Sequence, residues 1–208
     1  MTTGVVVGLV AEARIACRLH YPVAIGGGDT AGAEAAARRL VAQGATALLS
    51  FGLCGGLDPA LRPGALFIPE AVLDGAVRHA ASPAVVARFG AVTPGVLLGG
   101  ATIAATAAEK RRLHETTGAA AIDLESGAVA RIAAAAGLPF AALRAVCDPA
   151  DQDLPPAALT ALDAKGAIGP VRVLASLARH PAQLPALLVL AGHAAAARRA
   201  LRRAVGAA

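Results

Sequence analysis

Short apolar runs alternate with alanine-rich segments along this chain, and this alternation constrains the fold more than any other feature. The runs are almost continuously hydrophobic, which is typical of strands covered by helices on both faces of a sheet. We predict strands at residues 5–10, 22–26, 45–51, 65–69, 95–99, 119–122 and 140–146. The alternation predicts one α/β domain over residues 1–208, with a mostly parallel or mixed central sheet flanked by helices.

The alanine-rich segments carry the boundary signals of helices. Residues 29–43 form the first predicted helix, and a glycine follows it. The second helix begins at Thr106, because Thr106 and Glu109 have the spacing of a capping box, and it ends at Gly118. The third helix covers residues 126–136. Helices between strands are the connections that a parallel sheet needs, so they support the α/β prediction.

Charged residues are scarce in this chain, and several follow predicted strands directly. In α/β sheets ligands bind outside the carboxyl ends of the strands, so these positions predict one shared site. Carboxylates there suit a sugar with several hydroxyls and a leaving group that needs a proton. A single carboxylate at such a position equally fits a helix N-cap, and Asp123 fits that role best. The residues are Glu12, Arg14, Asp123, Glu125 and Asp148, with the glycine-rich stretch 50–64.

The stretch GGGDTAG at residues 26–32 follows a predicted strand and opens a helix, as the turn of a dinucleotide-binding motif does. That motif needs an acidic residue about 20 positions later, at the end of the next strand, and residues 43–51 contain none. The sequence therefore argues against a nicotinamide site, and we expect no cofactor. The histidines have no metal-ligand spacing, so we expect no metal.

The cysteines and the N-terminal segment bear on the compartment. Cys17, Cys54 and Cys147 are odd in number and form no CxxC pair, which predicts free thiols in a reducing compartment. The N-terminal run has no positive region before it, and Glu12 follows soon after, so it fits a first strand better than a signal peptide. No apolar segment reaches the roughly 20 residues of a membrane span. We expect a cytoplasmic protein.

Positive charge is concentrated at the end of the chain. Residues 1–163 hold 12 basic and 14 acidic residues, whereas seven basic residues and no acidic residue follow. A helical segment is predicted at about 170–205, and either it lies on an anionic membrane surface or it packs on the domain with its arginines in solvent. Aromatic residues make up 2% of the chain, which gives stacking on nucleic acid little support. The arginines form two pairs at i, i+4 spacing, Arg198 with Arg202 and Arg199 with Arg203.

Three separated segments resemble the nucleoside phosphorylase and nucleosidase superfamily. They are AIGGGDTAGAEAAARRL at 24–40, SFGLCGGLDPALRPGALFIPEAV at 50–72 and IDLESGAVARIAAAAGLPFAALRAVCDPAD at 122–151. Their order matches a glycine turn before a long helix, a GGLDP-like loop, an (M/L)E motif and an (S/C)D motif after the final strand. More narrowly, GLVAEARIA, GGLDPALRPG and LARHPAQLPALL are similar to the hopanoid-associated phosphorylase branch.

The resemblance implies an enzyme that cleaves the N-glycosidic bond of an adenine nucleoside. The narrower branch implies that adenine is released from adenosylhopane, and methylthioadenosine or adenosylhomocysteine are alternative substrates. A non-catalytic nucleoside-binding module with the same fold is a second class of function. The family also implies a homo-oligomer, most simply a dimer, and inorganic phosphate as a possible co-substrate. An apolar substrate such as adenosylhopane implies contact with the inner membrane surface.

Roles for individual residues also follow from the resemblance. Asp148 matches the acid that protonates or hydrogen-bonds N7 of the departing purine, and Glu125 matches the glutamate that holds the ribose hydroxyls. Glu12, or its neighbour Ala13, stands near the water-activating glutamate of the hydrolases. The implied substrate-binding residues are Cys54, Gly55, Gly56 and Leu124, and the implied phosphate-binding residues are Arg14 and Gly28.

Two departures from the family pattern concern the attacking nucleophile. Leu53 stands where phosphorylases place a serine, so one phosphate ligand is missing. The usual S/T-G-D motif is GGAT at residues 99–102, without its aspartate. The fixed charge of Arg14 beside a glycine-rich stretch favours phosphate, but pairing of Arg14 with Glu12 is the alternative. The sequence leaves phosphate and water open.

Overall fold

Hydrophobic strands form one mixed sheet in this computed structural model, which describes residues 2–159, 176–177 and 179–207. Part of the predicted basic segment, residues 170–175, lies outside the described residues. Along the sheet the order is β2-β1-β3-β8-β7-β5-β6, while β9 pairs with β3 and β4. The strands are β1 (Thr3–Val7), β2 (Val23–Ile25), β3 (Ala47–Gly56), β4 (Leu66–Phe67), β5 (Pro69–Asp74), β6 (Val77–Ala80), β7 (Thr93–Gly99), β8 (Ala121–Asp123) and β9 (Phe140–Asp148).

Strand β3 lies at the centre of the sheet and pairs with three other strands. It runs parallel to β1 on one side and parallel to β9 from Leu48 to Gly55 on the other. At its end it pairs antiparallel with β8 through Gly55 and Gly56. Ile122 of β8 and Asp148 of β9 are therefore both register partners of Gly55. The prediction of an α/β domain with a mixed sheet flanked by helices is confirmed.

The helices begin and end where the sequence carries boundary signals. The Asp29 side chain accepts a hydrogen bond from the Gly32 N–H at 2.7 Å, and Thr106 accepts one from the Glu109 N–H at 3.1 Å. Gly118 ends its helix with a φ of 67°, a left-handed conformation that glycine adopts without strain. The helices are α1 (Val10–Ala16), α2 (Thr30–Ala42), α3 (Pro83–Val86), α4 (Ala107–Thr117), α5 (Ser126–Ala135), α6 (Pro156–Leu159) and α7 (Leu184–Gly206), with 3₁₀ turns at Cys17–Leu19 and Pro181–Gln183.

Both faces of the sheet are buried, as its continuous hydrophobicity predicts. Val6 faces the core that α2 and α5 cover, whereas Val5 and Val7 face a second core. The second core includes Ile15 of α1 and Leu201 of α7. Successive side chains of a strand point to opposite faces, so β1 contributes to both cores. The second half of α7 is thus part of the domain and rests against β9 and α1.

Three predicted boundaries differ from the structure. The first strand ends at Val7 and α1 begins at Val10, because the Glu12 side chain accepts hydrogen bonds from the N–H groups of Gly8 and Leu9 and closes the turn. β3 continues to Gly56, so the first glycines of the 50–64 stretch are strand residues rather than loop residues. Residues 74–94, for which the sequence predicted no strand or helix, contain β6 and α3.

Candidate functional site

A cavity of about 210 Å³ opens at the end of β3, beside β8 and β9. Carboxylates and apolar side chains share its wall, and the carboxylates come from three separate parts of the chain. The four carboxylates are Glu12 of α1, Asp123 at the end of β8, Glu125 two residues later, and Asp148 at the end of β9. Each of these side chains is buried. Strand ends that are far apart in sequence thus bring their carboxylates to one place.

Glu12 is tied to the turn after β1 and to β3 by backbone hydrogen bonds. Its Oε2 accepts from the N–H groups of Gly8 and Leu9 at 3.0 and 2.8 Å, and its Oε1 accepts from the Leu53 N–H at 2.8 Å. Burial raises the pKa of Glu12, although the nearby Arg144 charge and these N–H groups lower it. A carboxylate whose pKa lies nearer to neutrality is a better general base than an exposed one.

Glu125 lies against a fully buried arginine from the middle of β9. The Arg144 Nη1 lies 3.1 Å from Glu125 Oε2, and its Nη2 lies 2.6 Å from Asp123 Oδ2. Burial raises the pKa of Glu125 to about 8, against the lowering effect of Arg144. Burial opposes the charge of Arg144 as well, but the surrounding carboxylates raise its pKa above the ordinary value. Arg144 therefore stays charged and holds both acids.

Asp123 has mainly local partners at the start of α5. Its Oδ1 accepts from the Ser126 N–H at 3.1 Å, and its Oδ2 accepts from the Ser126 hydroxyl at 2.5 Å. The same hydroxyl lies 2.9 Å from Arg144 Nη2, which also donates to the Ser50 hydroxyl at 2.5 Å. These contacts satisfy the buried polar groups between β3, β9 and α5. Asp123 thus fixes the arginine and the start of the helix.

Asp148 is paired with a lysine that carries no sequence signal of its own. The Lys110 Nζ lies 2.7 Å from Asp148 Oδ2 and donates to the backbone carbonyls of Pro149 and Gln152 at 2.8 and 2.9 Å. Lys110 is fully buried, and these three acceptors match the three protons of its ammonium group. Asp148 Oδ1 accepts a hydrogen bond from the Cys147 thiol at 3.2 Å. Lys110 therefore fixes the orientation of the Asp148 carboxylate.

Glycines near this cavity make room for the charged side chains. A Cβ on Gly52 would lie 2.6 Å from Glu12 Oε1 and 2.7 Å from Arg144 Nη1, and a Cβ on Gly8 would lie 1.9 Å from Glu125 Oε1. A Cβ on Gly55 would lie 3.2 Å from Asp148 Oδ2. The glycine-rich character of the end of β3 is thus explained by the close approach of side chains from α1 and β9.

A comparison with protein families identifies the fold. The model of the phosphorylase superfamily matches residues 27–96 and 90–168 of the chain. This chain belongs to the phosphorylase superfamily. The matched region includes β3, β8 and β9, and with them three of the four cavity carboxylates. No curated protein matches the sequence.

Solved structures with the same fold include several nucleosidases. The 5′-methylthioadenosine/S-adenosylhomocysteine nucleosidase of Helicobacter pylori is 16% identical with a TM-score of 0.68, over 98% of this chain and 97% of that chain. The S-adenosylhomocysteine nucleosidase of Streptococcus pyogenes is 16% identical with a TM-score of 0.64, over 73% and 85%. The futalosine hydrolase of Helicobacter pylori is 16% identical with a TM-score of 0.65, over 73% and 89%. At such identities the likeness is one of fold.

Seven of the nine residues to which the family resemblance gives a role line the cavity. They are Glu12, Gly28, Cys54, Gly55, Leu124, Glu125 and Asp148. Gly56 lies beyond it, where it pairs with Ala121 in the sheet. Arg14 lies on the exposed side of α1 and lines a different depression. Residues two apart in a helix project about 200° apart, so Arg14 cannot share the cavity with Glu12.

Arg144 and Lys110 are the functional residues that sequence reasoning missed. The sequence contained a signal for Arg144, because this arginine is the sole charged residue in the apolar run 140–146, which was predicted to be a strand buried on both faces. Lys110 had none, because Glu109, Arg111 and Arg112 surround it in a helix that looks uniformly solvated. Its burial depends on the last residue of β9 and the chain that follows, which together supply all three of its acceptors.

The thiols and the neighbouring depressions complete the site. Burial raises the pKa of Cys54 and of Cys147, so both are neutral thiols in the wall. Among the described residues no group of three histidine, cysteine or acidic side chains could hold a metal ion. A depression of about 400 Å³ shares Thr102 and Ile122 with the cavity, and one of about 500 Å³ shares Asp148 and reaches Val189 of α7. A ligand larger than a nucleoside therefore has space to extend.

Proposed function

We propose that this chain cleaves the N-glycosidic bond of an adenine nucleoside. The observation that carries this proposal is the convergence of Glu12, Glu125 and Asp148 on one cavity, each buried and each fixed by hydrogen bonds or an ion pair. Cleavage of this bond creates cationic character in the sugar and negative charge on the departing base. Fixed carboxylates stabilise the first, and a proton donor neutralises the second.

Asp148 and Glu125 have separate roles in the proposed reaction. Asp148 takes up a proton when the nucleoside binds and passes it to N7 of the departing adenine, and Lys110 orients the carboxyl group. Glu125 accepts hydrogen bonds from the ribose hydroxyls and stabilises the positive sugar. Because the pKa of Glu125 is about 8, its carboxyl group holds a proton at neutral pH when no substrate is bound. A hydrogen bond from a substrate hydroxyl or the positive charge of the sugar then favours the ionised form.

Water is the nucleophile that this cavity favours. Phosphate binding needs cationic or hydroxyl ligands, and Arg14 lies outside the cavity while Leu53 stands inside it. The described cations nearest to the wall, Arg144 and Lys110, are already occupied by carboxylates. Glu12 has the raised pKa of a general base and lies across from Leu53. We therefore propose hydrolysis, with Glu12 accepting the proton of the attacking water.

Adenosylhopane is the substrate that we propose. Its support is the similarity of residues 8–16, 55–64 and 177–188 to the hopanoid-associated phosphorylase branch. The depression that leads from Asp148 to the apolar residues Val189 and Leu190 is consistent with a large apolar substituent. Methylthioadenosine and adenosylhomocysteine are the alternatives, since solved nucleosidases with this fold carry those names. A non-catalytic nucleoside-binding module would have no need of an N7 acid.

An apolar substrate also bears on where the chain works. We propose a cytoplasmic homo-oligomer, most simply a dimer, that contacts the inner membrane surface. The first half of α7 supports such contact, because Leu184, Leu188 and Val189 are 46%, 65% and 48% exposed. By length and composition alone, Pro181–Gly206 could cross a membrane, so the expectation that no segment is long and apolar enough is wrong. Its second half is packed into the domain through Ala197, Leu201 and other residues, which favours contact with a surface over a span.

Adenine release from a panel of nucleosides tests the activity. Adenosylhopane, methylthioadenosine and adenosylhomocysteine are incubated with the chain, with and without phosphate, and the products are separated by chromatography. We expect adenine and a free ribose product at the same rate without phosphate. Dependence on phosphate would make the chain a phosphorylase, and substrate binding without any adenine release would support the binding-module alternative.

The variant Asp148→Asn identifies the site in the same assay. We expect turnover to fall by roughly 100-fold, because a general acid contributes about that much or more. Glu70→Gln is the control, since Glu70 is exposed, pairs with Arg78 at 2.7 Å and lies outside the cavity and the neighbouring depressions. Near-normal adenine release by Asp148→Asn would contradict the assignment.

A further inference from the structure

Four arginines from two helices line one depression on the far side of α1 from the cavity. The depression has a volume of about 320 Å³. Arg14 and Arg18 come from α1 and the turn after it, and Arg198 and Arg202 come from α7. Each helix thus contributes one pair at i, i+4 spacing, and the two pairs share the same concave surface.

The charges in this depression lack partners in the described part of the chain. None of the four arginines forms an ion pair with a described residue, whereas Arg38, Arg78, Arg131 and others do. The rest of the lining, Ala11 and Ile15, is apolar. Like charges at i, i+4 spacing repel each other. Binding of an anion among the guanidinium groups relieves this repulsion.

The chemistry of the depression is specific for oxyanions. A guanidinium group presents a planar fork of N–H donors that matches two oxygens of a phosphate group, and four such groups surround the opening. The volume lies at the lower end of the range of about 300–1,000 Å³ for small-molecule sites. It therefore has room for a phosphate group with a small organic substituent.

We infer that the depression between α1 and α7 is a binding site for a phosphate ester. The phosphate lies among the four guanidinium groups, and its organic substituent rests on Ala11 and Ile15. The site is separate from the proposed cleavage reaction, because Arg14 and Glu12 project from opposite sides of α1. A soluble phosphorylated metabolite and the headgroup of an anionic phospholipid carry the same chemistry, and the experiment below separates them.

Glycerol 3-phosphate is the soluble probe, and vesicles of phosphatidylglycerol in phosphatidylcholine are the lipid probe. Binding is measured by calorimetry for the first and by sedimentation for the second, both at low salt. The double variant Arg18→Gln/Arg202→Gln removes one arginine from each helix. Arg39→Gln/Arg111→Gln is the matched control, because it removes two exposed arginines outside the depression.

We expect the depression variant to bind at least one of the two probes roughly tenfold more weakly than the native chain or the control. Loss of glycerol 3-phosphate binding identifies a soluble ligand, and loss of vesicle binding alone identifies a lipid headgroup. The inference is overturned if the native chain binds neither probe, or if both double variants bind as the native chain does. A circular dichroism spectrum and a urea midpoint equal to those of the native chain confirm that the depression variant is folded, so this result does not depend on the proposed activity.

Discussion

Lys110 and Arg144 are fully buried cations, and each is held by carboxylates of the cavity wall. A buried charge is tolerated only when it is paired and its remaining protons are satisfied. Both residues meet this condition, Lys110 with two backbone carbonyls and Arg144 with two serine hydroxyls. At the scale of single residues, the site is a pair of ion-paired clusters on either side of one cavity.

Removal of Lys110 tests how strongly the first cluster is coupled. Lys110→Met leaves Asp148 buried without its cation, and we expect a loss of about 3 kcal/mol in the free energy of unfolding. The double variant Lys110→Met/Asp148→Asn should lose clearly less than the sum of the two single changes, because both partners of the ion pair are then gone. Urea unfolding of all four proteins provides the values, with Arg111→Met as the exposed control. Strict additivity would show that the pair is not coupled.

Glu125 predicts a pH dependence of stability. Burial raises its pKa from 4.5 to about 8, so between these values the folded chain holds a proton that the unfolded chain has lost. The stability that this proton contributes is fully present below pH 4.5 and is lost as the pH rises through about 8. Urea unfolding from pH 5 to 9 should therefore show that native stability falls relative to Glu125→Gln. A constant difference between the two proteins would contradict the raised pKa.

Strand β3 organises the site at the scale of secondary structure. Its end pairs with β8 and β9 at once, and it receives the Glu12 side chain from α1 through the Leu53 N–H. Glycine at two of these strand positions, Gly52 and Gly55, removes the side chains that would otherwise separate the carboxylates. Groups from α1, β8 and β9 therefore come together at the end of β3.

Gly52→Ala tests this role of the strand. The added Cβ would lie within 2.7 Å of both Glu12 and Arg144, so we expect a loss of about 1–3 kcal/mol in stability. Displacement of Glu12 should also lower adenine release by roughly tenfold or more, since small misplacements of reacting groups cost that much. Gly192→Ala is the matched control. It meets nothing within 4 Å on α7 and should stabilise the chain by up to about 1 kcal/mol.

That prediction fails if Gly52→Ala unfolds at the same urea concentration as the native chain and keeps full turnover. Such a result would mean that the strand moves enough to admit a methyl group without disturbing Glu12.

At the scale of the whole molecule, the first half of α7 exposes three large apolar side chains, and the cavity rim exposes one. Leu188 is 65% exposed and Ile103, in the cavity wall, is 40% exposed. Large apolar side chains that remain in solvent mark surfaces for association. These exposed side chains are the surfaces on which the proposed dimer and the proposed membrane contact depend.

The proposed dimer can be measured directly. We expect light scattering to give twice the mass of one chain, because a second copy covers exposed apolar residues at the cavity rim. Activity per chain should fall on dilution as the dimer dissociates, since the cavity is then open to water. A monomer that keeps full activity at every concentration would rule the dimer out.

The sequence alone predicted the α/β class, helices α2, α4 and α5 and the strand-end position of the acidic residues. These features depend on local patterns: continuous hydrophobicity, capping residues such as Thr106, and glycine after a helix. The placement of Glu12, Glu125 and Asp148 at one cavity also followed, because the carboxyl ends of strands meet at one edge of a sheet. Local pattern was less informative about where each strand ends: the strand predicted at residues 45–51 continues to Gly56 in β3.

Tertiary structure alone decided which charges are buried and what they contact. Lys110 and Arg111 are neighbours with similar chemistry, yet only Lys110 points at the chain after β9 and meets Asp148. Arg14 follows the same strand as Glu12 but projects from the other side of α1 and meets arginines of α7. Long-range packing sets these contacts, and the partners are dozens to nearly two hundred residues away. No short window of sequence contains both members of such a pair.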